Sequence, residues 1–267
     1  MKKNNYSKEH LKYLRKKKLT TASVIILQIA ILVIFFGCWE LLTQIGVLDS
    51  FLFSSPSKIL KTFKMLWENG EILKHSLITL KETLYAFFIA TGIGFAVAIL
   101  LWSNNFIRRV LEPYIVVLNS LPKIALGPII IIWMGAGNQA IITMGVLIVV
   151  IVTVINILTA FVNTDKNIIS LCEAMGANKF QIFFKVVLPS AFPDIISTLK
   201  INVGLSWIGS IMGEYLVTKA GLGYLLIYGG ITFDLNLIMT AVVVLCFLAT
   251  IMYFAIALLE KIVKSRR

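Results

Sequence analysis

Histidine is almost missing from this chain. The two present, His10 and His75, lie far apart with no metal-ligand neighbour, so a metal centre is not expected. Cysteine is also scarce. Cys38, Cys172 and Cys246 show neither metal spacing nor a disulfide framework, and are read as unpaired reduced thiols. No Gly-Lys pair occurs anywhere, so the G-x-x-x-x-G-K-[ST] phosphate loop is lacking and ATP hydrolysis by this chain is not expected. A G-x-S-x-G nucleophile elbow is lacking too. Charged residues make up 14% of the 267, against a usual share of about 25%. These shortages exclude a disordered chain, a coiled coil, a disulfide scaffold and an ordinary soluble globule. What is abundant is apolar: 58% of residues, with a mean hydropathy of +0.90. The composition is that of an all-α, polytopic helical membrane protein.

The formal net charge is +12, and its placement carries the information. Of 25 basic residues, eight fall within the first 18 positions and four in the last seven. Basic tails of this kind stay beside the anionic cytoplasmic leaflet. No basic stripe interleaved with aromatics exists outside the tails, so nucleic acid is excluded as a partner.

Six apolar runs lie near 24–42, 83–102, 111–135, 139–162, 195–217 and 236–259, each close to the roughly 20 residues that cross the hydrocarbon. The first is longer than a signal-peptide core and no A-x-A-like site follows it, so it is read as an uncleaved span. The predicted organisation is a basic cytoplasmic tail at 1–20, a single transmembrane domain over 21–260 and a second basic tail at 261–267. Two cytoplasmic tails require an even number of spans, and six satisfies that. The outer pieces are then 43–82, 136–138 and 218–235.

Two loops are expected to be structured. After Ser55, a helix cap, and Pro56, suited to a first helical position, Ile59, Leu60, Phe63, Leu66 and Trp67 recur at helical spacing. This predicts an amphipathic helix on the outer surface. The second loop, a cytoplasmic elbow over 164–190, is too polar to span. Ile168, Ile169, Cys172 and Met175 form one short apolar set, Gly176 breaks it, and Phe180, Phe183, Phe184 and Val187 form another. Pro189 and Pro193 are expected to end the segment. An apolar face outside the membrane must pack on something, and a partner protein is the natural candidate.

The run Gly135-Ala136-Gly137-Asn138-Gln139-Ala140 fits G-x-G-x-x-A, but it separates two apolar runs and reads as a tight turn. Gly209 and Gly213 form a small-x-x-x-small step for close helix packing, with a partner the pattern does not name. Polar residues within spans are costly and therefore informative. Lys123, between Pro122 and Gly127-Pro128, marks a broken helix and either meets an anionic substrate or snorkels to a partner. Asn202, Ser206, Ser210 and Glu214 form one stripe on the fifth span, facing either a translocation path or another helix. Asn156 and Thr153 read as interhelical hydrogen bonds, and Glu40 and Glu82 as span-end residues reaching the outer interface.

The elbow also carries a resemblance. The stretch GANKFQIFFKVVLPSAFPDIISTLKINVGLSWIGSIMGEYLVTKAGLGYLL resembles the permease subunits of binding-protein-dependent ABC importers, most of all the nitrate/sulfonate/taurine branch. LPKIALGPIIIIWMGAG resembles that family's third span and following turn, and SSPSKIL and TLKETLYAFFIATGIG its outer loop and second span. The likeness runs from about residue 39 to 260. The family's cytoplasmic E-A-A-x-x-x-G motif, followed by Leu-Pro, is held here by Gly176 and Leu188-Pro189. One departure is clear: Ser170, Leu171 and Cys172 stand where the family has Glu-Ala-Ala.

The resemblance implies a MetI-like permease fold, not an enzyme, in a bacterial cytoplasmic membrane. It implies a coupling elbow of Ser170, Cys172, Ala174, Gly176, Ala177, Phe180, Phe183, Leu188 and Pro189 that docks on a separate ATPase subunit. ATP and Mg would sit on that subunit, with no cofactor in this chain. It further implies an extracytoplasmic solute-binding protein meeting the outer surface, including the amphipathic helix and KAGLGYLL, and a second permease copy, a homodimer being simplest. The cargo would be a small anion such as a sulfonate, taurine or nitrate, with a pyrimidine-type vitamin precursor as the alternative. An ion-gradient-driven carrier is the rival class, but it calls for buried coupling charges and repeated halves. An intramembrane enzyme would need a nucleophile, base or metal set in one cavity, and none assembles.

Overall fold

The computed structural model describes residues 8–217 and 220–265, so the extreme ends of both basic tails, and Thr218 and Lys219, lie outside the described residues. The chain forms two compact units, one through Thr62 and one from Phe63 onward.

In the first unit α1 (Lys8–Gln44) is a single helix that begins within the predicted basic tail and continues through the first apolar run. Its segment Leu19–Gln44 has a mean hydropathy of 2.5, enough to span. A short α2 (Ser50–Phe53) is capped by Asp49, whose carboxylate accepts from Phe51 N at 2.8 Å. The amphipathic helix α3 (Pro56–Glu68) starts at the predicted Pro56, and Ser55 Oγ accepts from Lys58 N at 3.3 Å. Glu40 does more than reach an interface. Its carboxylate accepts from Ser57 N at 3.0 Å and from Ser57 Oγ at 2.8 Å, so a span-end acid holds the first turn of α3.

The second unit carries the remaining spans. They are α4 (Glu71–Ser103), α5 (Asn105–Ser120), a 3₁₀ turn (Lys123–Leu126), α6 (Gly127–Met134) and α7 (Asn138–Val162). The elbow helices α8 (Lys166–Ala174) and α9 (Lys179–Ile182) follow, then a π-turn (Phe183–Val187), α10 (Leu188–Val217), α11 (Leu222–Ile231) and α12 (Leu235–Ser265). Among the described residues five helices are long and apolar enough to span, and a sixth span results if α5 and the bent segment Lys123–Met134 are one. That pair bends by 85° at the Pro122 break the sequence marks. Gly135, at φ +78°, makes the turn between α6 and α7.

Helices α4, α7 and α10 form the centre, and small residues let them touch. A Cβ placed on Gly209 would stand 2.5 Å from Gly145 Cα, and one on Gly213 2.8 Å from Ile141 Cα. The partner of the small-x-x-x-small step is therefore α7. On α4, Gly94 meets Thr153 of α7 in the same way, at 2.6 Å. Without a hydrophobic drive between helices in lipid, such close backbone approach is how spans adhere.

The structure differs from the sequence reading at the elbow prolines and in the piece 218–235. The prolines do not end the elbow: residues from Lys179 to Val217 run as one helical rod of 39 residues. The π-turn explains it. Leu188 N donates to Phe183 O, one residue further back than in an α-turn, which loosens the ladder where Pro189 has no N–H and its ring needs room. The outer piece 218–235 is not simply a loop, because it contains the ten-residue apolar helix α11. Leu222, Leu225 and Leu226 of α11 are buried against Phe87, Trp207 and Leu237 from α4, α10 and α12.

Candidate functional site

The elbow is built by local chemistry. Asp165 caps α8, its carboxylate accepting from Asn167 N at 2.8 Å. Gly176, at φ +83°, then reverses the chain, with Gly176 N donating to Glu173 O at 2.9 Å and Ala177 N to Cys172 O at 3.0 Å. This is the paired closure of a glycine-terminated helix. Asn178 and Gln181 form a reciprocal capping box at 2.8 and 2.9 Å that starts α9 at once. No covalent or long-range contact is needed to shape this turn.

The predicted apolar sets each divide between two faces. Ile169, Cys172, Ile182, Phe183 and Val187 face inward and pack on Ala98 of α4 and on Ile157 and Phe161 of α7. The Phe183 ring sits 5.3 Å from Phe161, edge to face, and 5.1 Å from Trp102. On the outside, Leu171, Met175 and Phe180 are 61, 79 and 71% exposed, joined by Ile168 and Phe184. Phe180 and Phe184 pack ring against ring, tilted by 51°, with centroids 4.5 Å apart. Of the nine predicted coupling residues, Ser170, Ala174, Gly176 and Phe180 are exposed, Cys172, Ala177, Leu188 and Pro189 half-buried, and Phe183 is buried. The inner face joins the elbow to the span ends, and the outer rim is left free within this chain.

The polar stripe of α10 lies inside the protomer. Asn202, Ser206, Ser210 and Glu214 are all 0% exposed. Asn202 Nδ2 donates to Thr153 Oγ1 of α7 at 2.9 Å and to Thr91 Oγ1 of α4 at 3.1 Å. Of this stripe, Asn202 and Glu214 reach side chains on neighbouring helices. Glu214 anchors a further seam. Its carboxylate accepts from Thr79 Oγ1 at 2.6 Å and from Gly223 N at 2.5 Å. Thr79 Oγ1 in turn accepts from Leu222 N at 2.7 Å, and His75 Nδ1 from Gly221 N at 2.9 Å. Three side chains on α4 and α10 thus satisfy the free N–H groups that open α11.

Sequence reasoning missed this clamp, because His75 and Thr79 lie in a stretch that reads as outer loop. Helix α4 begins at Glu71, so Glu82 is well inside it and 2% exposed rather than at an interface. The clue available was the spacing of His75, Thr79 and Glu82, which falls on one face of a helix. Lys123 is half-buried at the α5–α6 break, and its Nζ donates to Asn119 O at 3.0 Å, capping the end of α5. Among the described residues no three His, Cys, Asp or Glu side chains gather as metal ligands.

Comparison with known proteins fits this architecture. Residues 89–267 match the family model for the binding-protein-dependent transport system inner membrane component. The chain belongs to that family. It is a multi-pass inner-membrane permease subunit of an ABC importer, and ATP hydrolysis lies on a separate subunit. Its relatives include a probable ABC transporter permease protein of Haemophilus influenzae, 28% identical over 82% of this chain and 88% of that one. Another is the putative aliphatic sulfonates transport permease protein SsuC of Escherichia coli K12, 25% identical over 84% of this chain and 85% of that one. Among solved structures, a chain of the MetNI methionine ABC transporter in an inward-facing conformation matches with a TM-score of 0.62 and 26% identity, over 71% of this chain and 93% of that one. The permease fold therefore accounts for the elbow and its unusual rim: the apolar groups exposed outside the spans belong to a subunit of a larger complex.

Proposed function

We propose that this permease passes a small anion of the aliphatic sulfonate or taurine class inward, with the rim of Leu171, Met175, Phe180 and Phe184 seated on the ATPase subunit. The observation that carries the reading is the two-faced elbow. Its inner face is packed into the ends of α4 and α7, and α9 runs without interruption into the rod that becomes α10. A push on the rim is therefore delivered to a span as rigid-body motion. Two ATPase subunits closing on ATP need two elbows, so the unit is a pair of permease copies, a homodimer in the simplest case. The elbow side then faces the cytoplasm, and a solute-binding protein meets the opposite side. Likeness to the sulfonate permease supports the cargo class. Lys123, at a broken helix where backbone and ammonium are both available, is the proposed anion contact along the path.

Co-purification from mild detergent, with and without a rim substitution, tests the docking. Met175→Asp is expected to lose the ATPase subunit while the permease stays monodisperse. Gly176→Trp has open space around it but a left-handed backbone, so it is expected to abolish ATP-driven uptake by re-aiming the elbow. Full ATPase recovery and full uptake in both variants would remove the elbow from the coupling mechanism. Unchanged uptake of a sulfonate in Lys123→Met would return that residue to its capping role alone.

A further inference from the structure

A second feature lies on the flank of the elbow, away from its apolar rim. A cavity of about 430 Å³ opens between the end of α4, the start of α5, the end of α7 and helices α8 and α9. Four cationic side chains, Arg108, Arg109, Lys166 and Lys179, line it, and the single acid there is Glu173. Among the described residues the ion pairs are Lys64–Glu68 and Lys200–Glu260, so none of the four cations is neutralised by a salt bridge. The cavity also receives the first residues of α5 and α8, Asn105 and Lys166, next to the capping side chains Asn104 and Asp165. Its floor is aromatic: Trp102 and Phe161, both braced by Phe183.

Arg109, Lys166 and Lys179 are exposed and Arg108 half-buried, so water screens their repulsion, but four cations around one concavity still concentrate a positive field that draws an anion. Two guanidinium forks favour anions that present several oxygens, carboxylate or phosphate, over a point charge. The space exceeds that of a lone phosphate group, so room remains for what the phosphate carries, and the aromatic floor lies where a span ends and headgroups begin. We propose that this cavity is a binding site for a phosphate group, bridging Arg108 and Arg109 at the start of α5 to Lys166 and Lys179 on the elbow. Occupancy ties the elbow to the α4–α5 corner and so stiffens the element that receives the ATPase. The two sources of such a group are an anionic phospholipid headgroup and free phosphate.

The test uses the full-length chain in mild detergent. Phosphatidylglycerol binding is read by native mass spectrometry, and inorganic phosphate binding by equilibrium dialysis. Arg108→Gln/Lys166→Gln is the cavity variant, and Lys61→Gln/Lys74→Gln removes the same charge from exposed positions outside the cavity. The expected result is a loss of about 25-fold in phosphatidylglycerol affinity for the cavity variant and less than about twofold for the control, since each of the two basic residues near an anionic headgroup contributes on the order of a factor of five. The same contrast seen with inorganic phosphate, and none with the lipid, assigns the site to a free anion. Glu173→Gln removes the one repulsive group and is expected to tighten binding of the responding probe several-fold without disturbing the fold. Equal binding by wild type and cavity variant for both probes, or weaker binding by Glu173→Gln, overturns the proposal. The assay needs no ATPase, so its failure is separate from that of the docking reading.

Discussion

Replacing Gly209 by alanine tests the helix seam most sharply, because Gly204 on the same helix supplies a matched control. A Cβ on Gly209 would lie 2.5 Å from Gly145 Cα and 3.3 Å from Gly145 N, backbone atoms that no rotamer change can move. Ordinary carbon contact starts near ~3.5 Å, so α7 and α10 must part by about 1 Å. The same seam carries the Asn202–Thr153 hydrogen bond at 2.9 Å, which a comparable parting stretches beyond useful range. Overpacking of this kind costs about 1–3 kcal/mol. With the scaling for chains of this length, that is a fall of about 2–10 °C in unfolding midpoint. Gly204 has nothing within 4 Å of its notional Cβ. Gly204→Ala therefore gains only helix propensity, a stabilisation of about 0.4–1 kcal/mol. Thermal unfolding of both variants in one detergent, at one heating rate, gives the comparison. The two shifts should have opposite signs. If Gly209→Ala is as stable as Gly204→Ala, the close α7–α10 approach is not the packing the protein uses.

Three further outcomes follow from the same contacts. Glu214→Ala leaves Gly223 N–H unpaired at about 1–3 kcal/mol and leaves Thr79 Oγ1 only the longer bond to His75 O, so a midpoint below wild type is expected, with Glu214→Gln intermediate; an unshifted alanine variant would remove the clamp on α11. Lys200 Nζ pairs with Glu260, joining α10 to α12, and a double-mutant cycle with Lys200→Met and Glu260→Gln is expected to give a coupling of about 0.5–3 kcal/mol; additive losses would mean the pair is incidental. Glu40→Ala removes two acceptors from the first turn of α3, so amide exchange at Ser57 and Lys58 should speed up while α10 exchange stays the same, and equal exchange in both proteins would count against the cap.

The sequence by itself determined whatever depends on neighbours along the chain. Hydrophobic runs of spanning length announce the spans, because a backbone in lipid must satisfy its own hydrogen bonds as helix. Pro122 and Pro128 mark the broken third span, and Gly176 marks the elbow, because a proline break and a left-handed residue act within a few residues. Ser55-Pro56 announces α3 for the same reason. The tertiary structure alone decided which side of a helix meets what. Glu214 and Thr79 are 135 residues apart in sequence, and Asn202 and Thr91 111, so no local pattern tells a lining residue from a buried seam. Each elbow set reads as one apolar face until the span ends take Ile169 and Phe183 and leave Met175 and Phe180 outside. Helix α11 is too short to stand out as a span, and it persists because side chains on α4 and α10 receive its first N–H groups. Proline at 189 forecasts a stop, yet the rod continues. A single π-turn makes room for the ring, and packing of Phe183 and Val187 on Phe161 holds that turn in place.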